Sequence, residues 1–131
     1  MKIAAITDDG NTISQHFGRA NYYMVISVDN GKIVNREMRD KLSHSHFANE
    51  PHTADAGQPH GYGPTEQNRH AQMAQAINDC QVLLCRGMGI GAYDSMKWLG
   101  IQPILTDIAG IDEAVKAYLD GHLVDHVERL H

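Results

Sequence analysis

Residues 82–105, VLLCRGMGIGAYDSMKWLGIQPIL, hold a strand, a glycine turn, a helix and a second strand in one uninterrupted stretch. Val82–Cys85 is a short apolar run bounded by turn residues, the pattern of a fully buried strand. Gly87-Met88-Gly89-Ile90-Gly91 cannot prolong it, because glycines at alternate positions favour a tight turn. Ala92, Tyr93, Met96 and Leu99 then recur at helical spacing, and Gly100 supplies a stop. Ile101–Leu105 is another short apolar run. Two such strands joined through a helix are parallel and need cover on both faces. This stretch sets an α/β class.

The flanks extend the pattern. Lys2–Thr7 (KIAAIT) reads as a strand ended by the turn residues Asp8-Asp9-Gly10-Asn11. Tyr22–Val28 is rich in aromatic and β-branched side chains, and Asn30-Gly31 is a strong hairpin signal. Lys32–Arg39 returns antiparallel, with an imperfect alternation that suggests an edge or half-exposed strand. Thr65 can cap a helix whose buried stripe includes Met73, Ala76 and Ile77. A last helix is expected over Asp112–Leu119, with Asp112 as cap and Gly121 as stop. His122–His131 fits strand and helix equally. The order predicts an α/β sandwich on a mixed five-stranded sheet, with one antiparallel strand at or near an edge.

Composition narrows the function. The chain has 131 residues and a formal net charge of −5, so one domain over residues 1–121, followed by a tail at 122–131, is expected. A net negative chain is poorly suited to gripping a phosphate backbone, so nucleic acid is not an expected partner. No apolar run approaches the roughly 20 residues that span a bilayer, and the N-terminus turns acidic too soon for a signal peptide. A cytoplasmic protein without membrane contact is expected. Cys80 and Cys85 have a C-x4-C spacing, which is neither a disulfide framework nor a zinc knuckle, so both are expected as thiols.

Nine histidines stand against two Phe and one Trp. Histidine is the commonest metal ligand, so placement decides whether this excess matters. His44, His46, His52 and His60 fall in segment 43–64, SHSHFANEPHTADAGQPHGYGP, a long loop broken by three Pro and three Gly. If extended, His44 and His46 project from the same side and can share one ion. A polar loop that merely tolerates histidine has the same composition. His122 and His126 would share a face only if the tail were helical, and a surface pair is the simpler reading.

The glycine turn has three readings. Gly87, Gly89 and Ala92, with Asp107 further on, match a dinucleotide fingerprint, but that site needs its motif on the first strand of a longer βαβαβ unit. Gly87, Gly89 and Gly91 at a helix start can present backbone N–H groups to an anion. Close packing of helix on strand needs the same glycines. Cys85 beside the turn and Arg86 is a candidate soft-metal ligand, although VLLC also looks like core. Asp8, Asp9 and Asp94 suggest a two-metal hydrolase only distantly, since Asp8-Asp9-Gly10-Asn11 is ordinary turn chemistry.

Taken together, the stretches SQHFGRANYYMVISVDNGKIV and VLLCRGMGIGAYDSMKWLGIQPILTDIAGIDEAVKAYLDGHL resemble the dinitrogenase iron-molybdenum cofactor biosynthesis family. Its most specific pieces here are Ser14-x-x-Phe17-Gly18-Arg19-Ala20, the Gly87–Gly91 turn, and the run from Gly100-Ile101 to Asp112-Glu113-Ala114-Val115. The resemblance implies a ribonuclease H-like three-layer fold and sets the dinucleotide reading aside. It implies a non-catalytic carrier or store of an anionic metal–sulfur cluster: the iron-molybdenum cofactor, its precursor, or a related molybdenum, iron or copper sulfide. Cluster-assembly or nitrogenase-type proteins would be partners, with the chain a monomer or weak homodimer. His16, Arg19, Arg86, Gly87, Met88, Gly89 and Gly91 are then the candidate cluster-binding residues. His16, His44, His46, His52, His60 and Cys85 are the candidate metal ligands. The alternative is a divalent-metal (Ni, Zn or Cu) or protein-interaction module built on the histidine loop. A metal-dependent hydrolase comes a distant third.

Overall fold

The computed structural model describes residues 1–41 and 72–131. Five strands form one sheet: β1 (Lys2–Thr7), β2 (Tyr22–Asp29), β3 (Lys32–Asp40), β4 (Val82–Cys85) and β5 (Gln102–Leu105), in the order β3-β2-β1-β4-β5. β1 pairs parallel with β4, and β4 with β5, while β2 runs antiparallel to both β1 and β3. β2 is thus the single reversed strand, one place in from the edge. Ile3–Thr7 and all of Val82–Cys85 are buried, so both faces of the sheet are covered.

The antiparallel β2–β3 pair comes from the hairpin. Asn30 and Gly31 both have positive φ, 53° and 75°, which matches the right-handed twist of the flanking strands. β3 buries little and forms one edge of the sheet. Residues 72–75 are helical and continue as a turn, so Ala76 and Ile77 lie just past the helix rather than within it. This segment covers the face of Tyr23, whose hydroxyl donates to the Met73 carbonyl at 2.7 Å. The long loop at 43–64 and the Thr65 cap lie outside the described residues.

Helix α1 (Ile90–Trp98) joins β4 to β5, and α2 (Ile111–Leu119) follows β5. α1 starts two residues before the expected Ala92. α2 is capped by Gly110, not Asp112, which sits with Glu113 in the first turn. The start is fixed from outside the helix: the Ile111 N–H donates to the Asn11 carbonyl at 3.0 Å, and Thr12 bridges to Gly110. Ile111 is buried, so the helix opens on an apolar anchor and leaves the carboxylates at its positive end. Gly100 and Gly121 close the two helices with φ of +81° and +78°.

The segment from residue 122 is neither strand nor helix. It runs irregularly to a 3-10 turn at Val127–Arg129 and then docks on the glycine turn. His122 and His126 therefore do not share a helical face.

Candidate functional site

The site lies at the carboxyl ends of β1 and β4. The chain leaves β1 toward β2 on one side and leaves β4 toward β5 on the other, so a crevice opens between their exit loops. Asp8 organises the first loop: its carboxylate accepts from the Ser14 hydroxyl at 3.0 Å and from the Asn21 N–H at 2.9 Å. Ser14 in turn donates its N–H to the Ile6 carbonyl at 2.9 Å. These bonds hold the Ser14–Ala20 stretch across the strand ends. Phe17 is buried beneath it, tilted against the Tyr23 ring at 6.4 Å.

The second loop meets the first at Gly87. The Phe17 N–H donates to the Gly87 carbonyl at 3.0 Å, and a side chain on Gly87 would start 2.8 Å from the Gln15 carbonyl oxygen. Only glycine fits there, so close packing accounts for this residue. Met88 is buried, and Gly89 is the extended cap of α1. Between the two loops lies an open pocket of about 450 Å³, lined by Gln15, His16, Arg86, Gly87, Arg129 and His131. That volume suits a small ligand. The described lining carries two guanidinium groups and two imidazoles but no Asp or Glu side chain.

Arg86 is the unusual member. Its Nε is buried without a hydrogen-bond partner among the described residues. Buried polar groups are nearly always paired, and a guanidinium donates only, so any partner this group takes is an acceptor.

The expected residues divide. His16, Arg86 and Gly87 come together in the pocket. Arg19 ends the 3-10 turn Phe17–Arg19, exposed and outside the lining, and Gly91 is exposed in the first turn of α1. Cys85 lies in the core, fully buried, with its thiol 3.6 Å from the Ile104 carbonyl. Burial pushes that thiol up to about 12, which keeps it protonated and disfavours the thiolate that metal ligation needs. Both cysteines are free. His44, His46, His52 and His60 lie outside the described residues, as does His70.

Among the described residues no three His, Cys, Asp or Glu side chains gather at a spacing that would hold a metal ion, Asp8, Asp9 and Asp94 included. Asp9 is instead taken up by its turn. Its carboxylate accepts the Asn11 and Thr12 N–H groups at 2.8 Å each, and these bonds lower it to about 2. Among the described residues no helix is long and apolar enough to cross a membrane.

Sequence reasoning missed Gln15, Arg129 and His131. The signal for the last two was the pair Leu123 and Leu130, apolar residues that pack partly buried against the core and dock the segment carrying them.

The family model described as dinitrogenase iron-molybdenum cofactor matches residues 1–121. The chain belongs to this family. An uncharacterized protein of Methanocaldococcus jannaschii is 32% identical over 123 residues, covering 94% of this chain and 89% of that protein. The crystal structure of PH0822 superposes with a TM-score of 0.68 at 21% identity, covering 97% of this chain and 98% of that one. The apo form of the orange protein from Desulfovibrio gigas gives a TM-score of 0.63 at 21% identity, with 96% and 92% covered. At those identities the structural likeness speaks to the fold, and the family match carries the link to the iron-molybdenum cofactor.

Proposed function

We propose that this family member binds and carries, or stores, an anionic metal–sulfur cluster without catalysing a reaction. The cargo is the iron-molybdenum cofactor, its precursor or a related molybdenum, iron or copper sulfide. What carries the reading is Arg86: it lines a pocket with no Asp or Glu side chain in its described lining, and its buried Nε has no hydrogen-bond partner among the described residues. Sulfide and oxo groups on such a cluster are acceptors, and charge-assisted bonds to them hold cargo without a full ligand set. His16 adds one imidazole that can bond or ligate. A site of this kind releases what it holds, as a carrier must. Cluster-assembly or nitrogenase-type proteins would deliver and receive the cargo, with the protein itself a cytoplasmic monomer or weak homodimer. The strand order β3-β2-β1-β4-β5 with β2 reversed supports the ribonuclease H-like description of this family member.

The test is anaerobic titration with tetrathiomolybdate, alone and with iron or copper salts, followed by desalting. A visible chromophore retained in stoichiometric amount, and lost in Arg86→Met and His16→Ala, is the expected result. Wild type and variants that elute equally colourless would overturn the proposal.

A further inference from the structure

Two of the six pocket-lining residues, Arg129 and His131, come from beyond residue 121, where the family match stops. The segment that carries them is fastened at two places. At the edge strand β5, the His126 N–H donates to the Leu105 carbonyl at 2.7 Å, and the Leu105 N–H donates to the Asp125 carboxylate at 3.0 Å. At the glycine turn, the Ile90 N–H donates to the His131 carbonyl oxygen at 2.8 Å, and the His131 N–H donates to the Met88 carbonyl at 3.1 Å. Leu130 pairs with Met88 as an isolated parallel bridge and packs partly buried on the core. The backbone bonds of residues 126 and 131, with the Asp125 carboxylate and Leu130, thus fix where the segment lies without the Arg129 and His131 side chains.

The segment's Arg129 and His126 side chains meet two carboxylates, Asp107 and Glu128. Arg129 pairs with Asp107, and His126 Nε2 lies 3.0 Å from the same carboxylate, while His126 Nδ1 lies 2.8 Å from Glu128. Asp107 is half-exposed at the end of β5, so it can hold Arg129 only as a solvated surface pair. An anion in the pocket competes for that guanidinium. Arg86 comes from the β4 exit loop and His16 from the β1 exit loop, so Arg129 and His131 supply a second cation and a second imidazole from a separate part of the chain.

Resting on the anion-site reading above, we infer that residues 122–131 form a clasp that completes the pocket, with Arg129 and His131 as binding residues for the anionic cluster. Arg129 moves its hydrogen bonds from Asp107 to cargo when cargo enters. Arg86 and His16 make the floor that captures the anion, and the clasp sets how slowly it leaves.

The experiment uses the full chain with Arg129→Gln and His131→Ala combined. Both changes leave the backbone anchors at residues 126, 130 and 131 in place. Anaerobic tetrathiomolybdate is the probe, and its release is followed by absorbance after dilution into a chelator. The double variant should release it at least about tenfold faster than wild type, the scale of the lost Arg129 charge-assisted bond by itself. Arg36→Gln, which removes a distant cation paired with Asp112, should change nothing. Equal release from wild type and the double variant would overturn the clasp while leaving the pocket reading intact. No binding by wild type would overturn both. If the double variant misfolds, His131→Gln, which keeps size and polarity, carries the comparison: release must still quicken, and unchanged release refutes the clasp.

Discussion

A β-carbon on Gly87 would stand 2.8 Å from the carbonyl oxygen of Gln15, closer than such atoms approach in folded proteins. The obstacle is backbone held by the Phe17-to-Gly87 hydrogen bond, so it cannot swing aside as a side-chain tip would. Gly87→Ala should therefore push the two exit loops apart and cost about 1–3 kcal/mol, the usual range for overpacking. Urea denaturation measures the loss. Because His16 and Arg86 sit on opposite sides of this contact, anion binding should weaken too. A variant as stable as wild type would mean that the contact is looser than the geometry indicates. Gly89→Ala is the control, since its added methyl meets only ordinary contact, 3.6 Å from the His131 oxygen.

Arg86 makes the opposite kind of prediction, in which binding falls and stability does not. The Arg86 Nε holds no hydrogen bond among the described residues that the fold would lose, and an apolar group of similar shape is nearly neutral in its place. Arg86→Met should melt within about 0.5 kcal/mol of wild type, as substitutions that break no paired group do. Its affinity for tetrathiomolybdate should drop by about tenfold or more, the worth of a charge-assisted bond. Thermal melts and anaerobic titrations read the two effects separately. A strongly destabilised Arg86→Met would show that the guanidinium is a structural group, and the anion reading would lose its main support.

The frame was legible because its signals are local. KIAAIT, the Asn30-Gly31 hairpin and the strand–glycine–helix stretch from Val82 each declare their form within a few residues. The hairpin makes β2 and β3 antiparallel, and the antiparallel pairing of β2 with β1 is what makes β2 the reversed strand. The cap of α2 was misplaced because Asp112 has the side chain of a cap, while the true start is set by Asn11, a partner a hundred residues away in the chain. The site was half legible for the same reason. His16, Arg86 and Gly87 lie in motifs beside strand ends, where a ligand crevice is expected. Arg129 and His131 reach it only through a fold-back over β5, and residues 122–131 have no regular period that would announce it.

Cys85 separates the two readings open for it in the sequence. The thiol is fully buried and its ionisation is pushed up to about 12, mainly by desolvation. A ligand would need to reach cargo as a thiolate; a core thiol needs only to fill space. Cys85→Ala should leave tetrathiomolybdate affinity unchanged while costing about 1 kcal/mol from the small cavity. Alkylation by iodoacetamide should be slow in the folded protein and should quicken in denaturant for Cys80 as well, whose thiol is also pushed up to about 12. Loss of binding in Cys85→Ala with an intact fold would restore the thiol as a ligand.

Lys41 gives the protein a pH dependence that its surface ion pairs do not. Its ammonium is buried against the Phe17 ring, 4.3 Å from the centroid, and donates to the Ala20 carbonyl at 3.3 Å. Desolvation lowers it from 10.5 to about 8, only partly opposed by the negative charge of Asp8. Between those two values the unfolded chain holds a proton that the folded chain has released, so stability rises with pH across that window. Below about 8 the folded protein bears the full penalty of the buried charge. Lys41→Met keeps most of the stem and removes the titration. The stability difference between wild type and variant should be flat below about pH 8 and should shift toward wild type by at most about 3 kcal/mol on approaching pH 10.5. Chemical denaturation of both proteins at matched pH values from 6 to 10.5 measures it, with the other alkaline titrations cancelling in the difference. Parallel curves over the whole range would mean that water reaches the Lys41 ammonium and that the Phe17 contact does not bury it.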